Sequence, residues 1–228
     1  MKLIIFDCDG TLIDSQNVIF ASMINAFRQL GFAAPSRERA LSIVGLSLVE
    51  AMQKLLPDAA HKEHVQLAEA YKQAFWEARQ NPDNHEPFYE GMFEIVKALN
   101  NDDDVLLGIA TGKSQRGVRR IIDGFGLHDH FITIQTADDA PSKPHPGMIH
   151  NALSETGVET QRTLMIGDTT YDIDMAHAAS VHAMAVSWGY HSNDALVASA
   201  PHYFAHTHHE LDAYLEHFLN TREVVHGE

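Results

Sequence analysis

Short apolar runs that each end in a polar group constrain the fold of this chain more than any other feature. Residues 3–6 run into Asp7, residues 105–110 into Thr111, and residues 163–167 into Asp168. Such runs, separated by segments of helical period, are typical of buried parallel strands joined by crossover helices. Two further runs, residues 131–135 and 181–186, extend the pattern. Because ligands bind at the carboxyl ends of the strands in open α/β sheets, we expect the polar groups to line one crevice.

The segment from residue 15 to residue 86 is different, since it has helical period and no strand-like run. Four successive helical segments exceed what one crossover between parallel strands requires. We therefore predict an α/β core of residues 1–15 and 87–228, with a helical cap domain of residues 16–86 inserted after the first strand. A cap in that place can exclude water and select the substrate.

One loop of the predicted cap is our candidate for residues that enter the site. This substrate-specificity loop comprises Val44, Gly45, Leu46 and Ser47. Ser47 and Glu50 also have the spacing of a capping box, which predicts that a helix begins there. The loop contains no arginine that could hold a substrate carboxylate.

Composition excludes several classes of function. The 228 residues carry 16 basic and 31 acidic side chains, a formal charge of −15, which argues against nucleic acid or an anionic membrane as the main partner. A single cysteine excludes an intramolecular disulfide and a multi-cysteine zinc site. We find no leader-like start and no apolar run of about 18 residues, and expect a cytoplasmic protein. Both a monomer and a homodimer stay open.

Two carboxylates follow the first apolar run, and they predict a cation site. Asp7 and Asp9 are two residues apart, so an extended backbone directs both side chains to one face and Cys8 to the other. Asp168 ends a strand in the same way as Asp7. If these two strands are neighbours, Asp7 and Asp168 meet, and their oxygens suit Mg²⁺.

Four motifs, in order along the chain, resemble those of the haloacid dehalogenase superfamily. The segment from Asp7 to Thr11, Asp-Cys-Asp-Gly-Thr, resembles the nucleophile motif. Thr111 matches the second motif, Lys143 in Lys-Pro-His-Pro the third, and Asp168 with Asp172 in Gly-Asp-x-x-x-Asp the fourth. The layout is most similar to the phosphoglycolate phosphatase and β-phosphoglucomutase branch, which implies a Rossmann-like parallel sheet with a helical cap.

The resemblance implies a Mg²⁺-dependent phosphatase that acts on a small phosphorylated metabolite through an aspartyl-phosphate intermediate. Asp7 is the implied nucleophile, and Asp9 the implied general acid and base. The implied metal ligands are Asp7, Asp168 and the backbone carbonyl of Asp9, with Asp172 supporting the site behind them. Thr111 and Lys143 are the remaining implied catalytic residues. The residues implied to hold the phosphoryl group are Gly10, Thr11, Thr111, Gly112 and Lys143.

Alternatives stay open at this point. Relatives often carry Asn where this chain has Gly112, which leaves only a backbone group there. Phosphomutases of the branch often have Val at the position of Thr11, so Thr11 favours hydrolysis over a β-phosphoglucomutase-like transfer. The substrate is either phosphoglycolate-like or a sugar phosphate. A binding protein on an inactive hydrolase fold predicts the loss of a catalytic group, and none is missing. The turn Trp188-Gly189-Tyr190 is expected to serve packing alone.

Overall fold

The sheet of this protein is parallel throughout, in a computed structural model that describes residues 1–81 and 84–221. Within the described residues it has six strands in the order β3-β2-β1-β4-β5-β6. The strands are β1 (Lys2–Phe6), β2 (Val105–Thr111), β3 (Thr133–Thr136), β4 (Thr163–Gly167), β5 (His182–Val186) and β6 (Tyr203–Ala205). β1 is central because its neighbours are β2, with Phe6 opposite Ile109, and β4, with Phe6 opposite Ile166.

Helices cover both faces of this sheet, which explains why the strands are apolar runs rather than alternating ones. Ile4 and Phe6 point into one hydrophobic cluster, and Leu3 and Ile5 into the other. The helices on the first face are α5 (Met92–Asn100), α6 (Gln115–Phe125) and α10 (His208–Asn220). Those on the second are α7 (Gly147–Thr156), α8 (Thr170–Ala178) and α9 (Asn193–Ala198). The core is a three-layer α/β sandwich, as predicted.

Four helices between β1 and α5 form a separate layer with its own hydrophobic cluster. They are α1 (Gln16–Gln29), α2 (Arg37–Leu41), α3 (Leu48–Leu55) and α4 (His61–Ala78). The chain leaves the core and returns to it side by side, since Asp14 N donates to Pro87 O at 2.8 Å and Tyr89 N to Leu12 O at 2.9 Å. The helical cap is therefore an insertion with two paired connections.

The exact domain limits at residues 16–86 and 87–228 stay a prediction, and residues 82–83 and 222–228 lie outside the described residues. Two strand predictions need correction. The third strand begins at Thr133 rather than residue 131, and β6 was not predicted, because a three-residue edge strand leaves no long apolar run. Among the described residues, no helix combines the length and the apolar character needed to cross a membrane.

Candidate active site

The ends of three adjacent strands bring the predicted groups together. Asp7 directly follows β1, Thr111 ends β2, and Asp168 directly follows β4, on either side of the central strand. Asp7 N donates to Ile166 O at 2.9 Å, which continues the β1–β4 ladder to the edge of the crevice. All three side chains are buried. Asp7 and Asp168 therefore follow neighbouring strands, which is the condition that the sequence prediction of a metal site required.

Asp168 is held by hydrogen bonds from two directions. Thr11 Oγ1 donates to its Oδ1 at 2.8 Å, and Tyr190 N donates to its Oδ2 at 2.9 Å. Gly10 passes so close that an added Cβ would lie 2.2 Å from Asp168 Oδ2, and its φ of +88° is one that glycine adopts readily. The side chain of Asp168 is therefore fixed toward Asp7.

Asp7, Asp168 and Asp172 offer carboxylate oxygens that all lie within 4.8 Å of one another. Asp7 Oδ2 has no hydrogen-bond partner among the described residues, although its carboxylate is buried. A buried carboxylate oxygen without a partner is costly unless a cation or donor meets it. Hard oxygen ligands of this kind suit Mg²⁺, so the donor set fits the predicted metal.

Lys143 crosses the site as a buried ammonium group. Its Nζ lies 2.9 Å from Asp7 Oδ1 and 2.6 Å from Asp172 Oδ1, and the residue is 1% exposed. Asp172 in turn accepts hydrogen bonds at Oδ2 from the backbone and hydroxyl of Thr169, in a capping box that begins α8. Asp172 thus fixes Lys143 against Asp7, and both of its oxygens already have partners.

Crowding of buried carboxylates shifts their protonation. Burial, opposed by Lys143 and reinforced by Asp172, raises the pKa of Asp7 from 3.8 to about 6. Burial, with Asp7 and Asp172 nearby, also raises the pKa of Asp168. Burial disfavours the Lys143 ammonium, but Asp172 and Asp7 outweigh that cost and raise its pKa above the usual range. A divalent cation would relieve the repulsion that these shifts express.

Asp9 has different neighbours from Asp7. Its Oδ1 lies 2.9 Å from Lys113 Nζ and accepts a hydrogen bond from Ser15 Oγ. Burial disfavours the Lys113 ammonium, but Asp9 outweighs this effect and raises its pKa. The Asp9 carboxylate does not belong to the acidic group of Asp7, Asp168 and Asp172. Asp9 instead lines a cavity together with cap residues such as Met23 and Tyr71, which suits proton transfer to a leaving group rather than metal ligation.

Backbone donors line the place predicted for the phosphoryl group. The amides of Thr11 and Gly112 donate to no acceptor within the described part of the chain. The Thr11 hydroxyl is committed to Asp168, so Thr11 offers its amide alone. Thr111 Oγ1 accepts weakly from Lys113 N at 3.3 Å. Free amides at the ends of β-strands are suitable donors to an anion.

The substrate-specificity loop of the cap lies against the core. An added Cβ on Gly112 would lie 2.6 Å from Gly45 O, and one on Gly45 would lie 3.4 Å from Thr169 Oγ1. Ser47 N donates to Ser142 Oγ at 2.8 Å, one residue before Lys143. Ser47 is the N-cap of α3, which begins at Leu48 as expected, but the predicted capping box does not form, because the amide that Glu50 would engage is already bonded to the core.

Three contributors were missed at the sequence level. Lys113 directly follows the predicted pair Thr111-Gly112, yet its position alone did not distinguish it from a surface lysine. The sequence gives no sign that Ser15 belongs to the site, and it indicates packing alone for Tyr190. That last interpretation is wrong, since the Tyr190 amide holds Asp168 and its hydroxyl lies 3.0 Å from Ser15 Oγ. Trp188 Nε1 donates to Thr11 O at 3.1 Å in the same turn.

Comparison with known sequences decides the family. The sequence model described as "Haloacid dehalogenase-like hydrolase" matches residues 4–186, a span that includes all four motifs. This chain belongs to the haloacid dehalogenase-like hydrolases. The predicted superfamily is thereby confirmed.

Individual haloacid dehalogenase-like relatives cover nearly the whole chain. "Probable phosphatase IndB" of Dickeya dadantii is 33% identical over 210 residues, which cover 92% of this chain and 91% of IndB. "Pyrophosphatase PpaX" of Oceanobacillus iheyensis is 29% identical over 204 residues, covering 89% and 91%. A solved structure titled "predicted phosphoglycolate phosphatase" from Haemophilus somnus superposes with a TM-score of 0.82 at 22% identity, covering 94% of this chain and 98% of that one.

These similarities confirm three predictions for this haloacid dehalogenase-like hydrolase. The superfamily is the one expected, and the fold is the predicted parallel α/β core with a helical cap. The chain is an enzyme of the hydrolase class, as the family model indicates, and the relatives named above are phosphatases. The roles of individual site residues stay predictions.

Proposed function

We propose that this protein is a Mg²⁺-dependent phosphatase that hydrolyses a phosphate monoester of a small cytoplasmic metabolite through an aspartyl-phosphate on Asp7. One observation carries the proposal. Asp7 Oδ2 is buried without a hydrogen-bond partner among the described residues, beside Lys143 and across from Asp168. A structural carboxylate would be paired there, whereas a nucleophile needs an oxygen that is free to attack.

The proposed metal ligands are Asp7, Asp168 and the backbone carbonyl of Asp9. When bound, Mg²⁺ would withdraw charge from the phosphoryl oxygens and lower the repulsion between two anions. Lys143 contributes a second positive charge, and its contact with Asp7 orients the carboxylate. The amides of Thr11 and Gly112, together with the hydroxyl of Thr111, would hold the equatorial oxygens.

The first chemical step forms a bond between a carboxylate oxygen of Asp7 and phosphorus while the phosphorus–ester oxygen bond breaks. Asp9 gives its proton to the departing oxygen, so the alcohol leaves neutral. In the second step Asp9 takes a proton from a water molecule that attacks phosphorus. The bond from phosphorus to Asp7 breaks, and inorganic phosphate leaves. The contacts of Asp9 with Lys113 and Ser15 hold one carboxyl group in place for both transfers.

Phosphate release from 4-nitrophenyl phosphate tests the proposal, with the wild-type protein and Asp7→Asn compared in excess Mg²⁺ and in excess chelator. We expect release from the wild type with Mg²⁺, and a loss of at least about 1,000-fold in Asp7→Asn or on chelation. The isosteric change keeps the volume at Asp7, and an unchanged circular dichroism spectrum verifies the fold. Equal release from both proteins contradicts the nucleophile assignment. Isomerisation of a sugar phosphate without release of phosphate contradicts the hydrolase assignment.

A further inference from the structure

A cavity between the cap and the core extends from the proposed phosphoryl site toward solvent. Its volume is about 420 Å³, and its wall includes Asp9, Thr111 and Gly112 at one end. Sites of roughly 300–1,000 Å³ hold ligands of the size of a drug molecule. A phosphoryl group on a two-carbon acid fills only a small part of this space, so the volume indicates a larger leaving group.

The cap side of the cavity is apolar and aromatic. Met23, Val44 and Leu46 line it together with the rings of Tyr71 and Phe75, whose centroids are 5.6 Å apart. Trp76 also lines it and is 45% exposed. Indole and phenyl rings present a large apolar surface at little cost in conformational entropy. This wall suits an apolar, ring-sized body and gives few partners to the hydroxyl groups of a sugar.

The charge of the cavity wall is opposite to that of the whole chain. Five basic residues line it, against one carboxylate, Asp9, in a protein of net charge −15. Three are already paired: Lys72 with Glu69, Arg79 with Glu86, and Lys113 with Asp9. The remaining two are Arg116 and Arg120.

Arg116 and Arg120 lie four residues apart on α6, so their guanidinium groups are neighbours on one helix face. Neither makes a hydrogen bond or ion pair with any described residue, and both are exposed. Like charges at this spacing repel each other and weaken the helix. A planar, bidentate anion that binds between the two guanidinium groups replaces this repulsion with attraction.

We infer that the substrate is a phosphate monoester whose leaving group has an apolar, ring-sized body and ends in a second anionic group that meets Arg116 and Arg120. This inference rests on the proposed phosphatase function and narrows its substrate class. It disfavours neutral sugar phosphates, which lack the anion, and phosphoglycolate, which lacks the body. Lys113 marks the inner end of the cavity, and the two arginines mark the outer end.

Matched phosphate esters test the inference. The probes are phenyl phosphate, 4-carboxyphenyl phosphate, the longer 4-(2-carboxyethyl)phenyl phosphate, and phosphoglycolate. We expect kcat/KM for at least one carboxylated ring to exceed that for phenyl phosphate by about tenfold, and phosphoglycolate to be the poorest of the four. If neither carboxylate gives a gain, or if phosphoglycolate is the best substrate, the inference is wrong.

Variants separate the arginine contact from general electrostatics. Arg116→Gln/Arg120→Gln should bring the ratio of kcat/KM for the carboxylated and uncharged rings close to one, mainly through KM. Arg119→Gln is the matched control, since Arg119 lies on the same helix, does not line the cavity, and faces Asp139. An equal loss of the ratio in Arg119→Gln contradicts a specific contact.

Binding distinguishes this inference from failure of the proposed function. Calorimetric titration of Asp7→Asn with 4-carboxyphenyl phosphate and phenyl phosphate requires no turnover. A lower Kd for the carboxylated ring, abolished by the Arg116→Gln/Arg120→Gln change, supports the anion contact even if Asp7 is not the nucleophile. Equal Kd values for the two rings overturn it, whatever the turnover assay shows.

Discussion

Lys143 Nζ lies 2.9 Å from Asp7 Oδ1, and both side chains are buried. The contact joins the loop after β3 to the end of β1, and the hydrogen bond from Lys143 to Asp172 extends it to α8. One ammonium group thus connects three of the four motifs. The two carboxylates also explain why Lys143 can be buried, since burial of an ammonium group without partners would cost folding free energy.

Replacing this ammonium tests how far the site depends on it. Lys143→Met leaves Asp7 and Asp172 buried without their cation, which typically costs about 3–5 kcal/mol of unfolding free energy near neutral pH. At about pH 5 this loss of unfolding free energy should be smaller, because the buried carboxylates of the variant are protonated more readily than those of the wild type and then no longer need a cation. Urea unfolding at both pH values measures it. Lys97→Met, an exposed change, should cost less than about 0.5 kcal/mol. An equal loss at both pH values contradicts the electrostatic explanation.

The raised pKa of Asp7 makes the stability of the metal-free protein depend on pH. The folded state holds this proton up to about pH 6, whereas the ordinary value is 3.8. Between these values the unfolded state binds fewer protons, so the unfolding free energy falls as pH rises, by on the order of 3 kcal/mol. Asp168 adds to the fall, since its pKa is raised too.

Urea unfolding in chelator should therefore show a less stable protein at about pH 7.5 than at about pH 5. Excess Mg²⁺ should remove most of the difference, because it binds the ionised carboxylates of the folded state. Asp7→Asn is the control, and should reduce both the pH dependence and the effect of Mg²⁺. A metal-free protein whose stability does not fall over this range argues against crowded carboxylates.

Much of this site could be predicted because its signals are local. Three of the apolar runs end at a functional side chain, and parallel strands put such ends at one edge. The meeting of Asp7 with Asp168 required only that β1 and β4 be neighbours. The edge strand β6 could not be predicted in this way, since it has only three residues and two of them are only partly buried.

The missed features depend on contacts between distant segments. Nothing next to Lys113 in the sequence shows that its ammonium turns toward Asp9, more than 100 residues earlier. Tyr190 acts through its backbone amide, a group that nearly every residue type has, so its residue type does not predict this contact. The capping box at Ser47 failed for the same reason, because a core hydroxyl from Ser142 engaged the amide that the local pattern assigned to Glu50.

The sequence predicts that Gly112 contributes only its backbone, and the structure shows that a side chain at this position would not fit. In Gly112→Ala the new Cβ would lie 2.6 Å from Gly45 O and 2.8 Å from Leu46 O, both backbone atoms that cannot rotate away. We expect the substrate-specificity loop to move outward and kcat/KM to fall on the order of 10–100-fold.

Steady-state kinetics on a ring-bearing and a small phosphate ester measure the Gly112→Ala effect. Gly124→Ala is the matched control on α6, since nothing lies within 4 Å of its added Cβ. That control should leave kcat/KM unchanged and stabilise the protein by up to about 1 kcal/mol. If both variants lose activity equally, displacement of the loop is not the cause.

The contact between Lys113 and Asp9 predicts a dependence on the leaving group. Lys113→Met frees the Asp9 carboxyl group, which should slow proton donation to the departing oxygen. We expect kcat for an alkyl phosphate to fall by about 10–100-fold, a part of the usual contribution of general acid catalysis. The fall should be smaller for 4-nitrophenyl phosphate, whose leaving group needs little protonation.

Ser15→Ala removes the second contact to the same oxygen of Asp9 and should show the same trend at lower amplitude. A loss that is equal for both esters, or confined to KM, would mean that Lys113 serves binding and does not position Asp9.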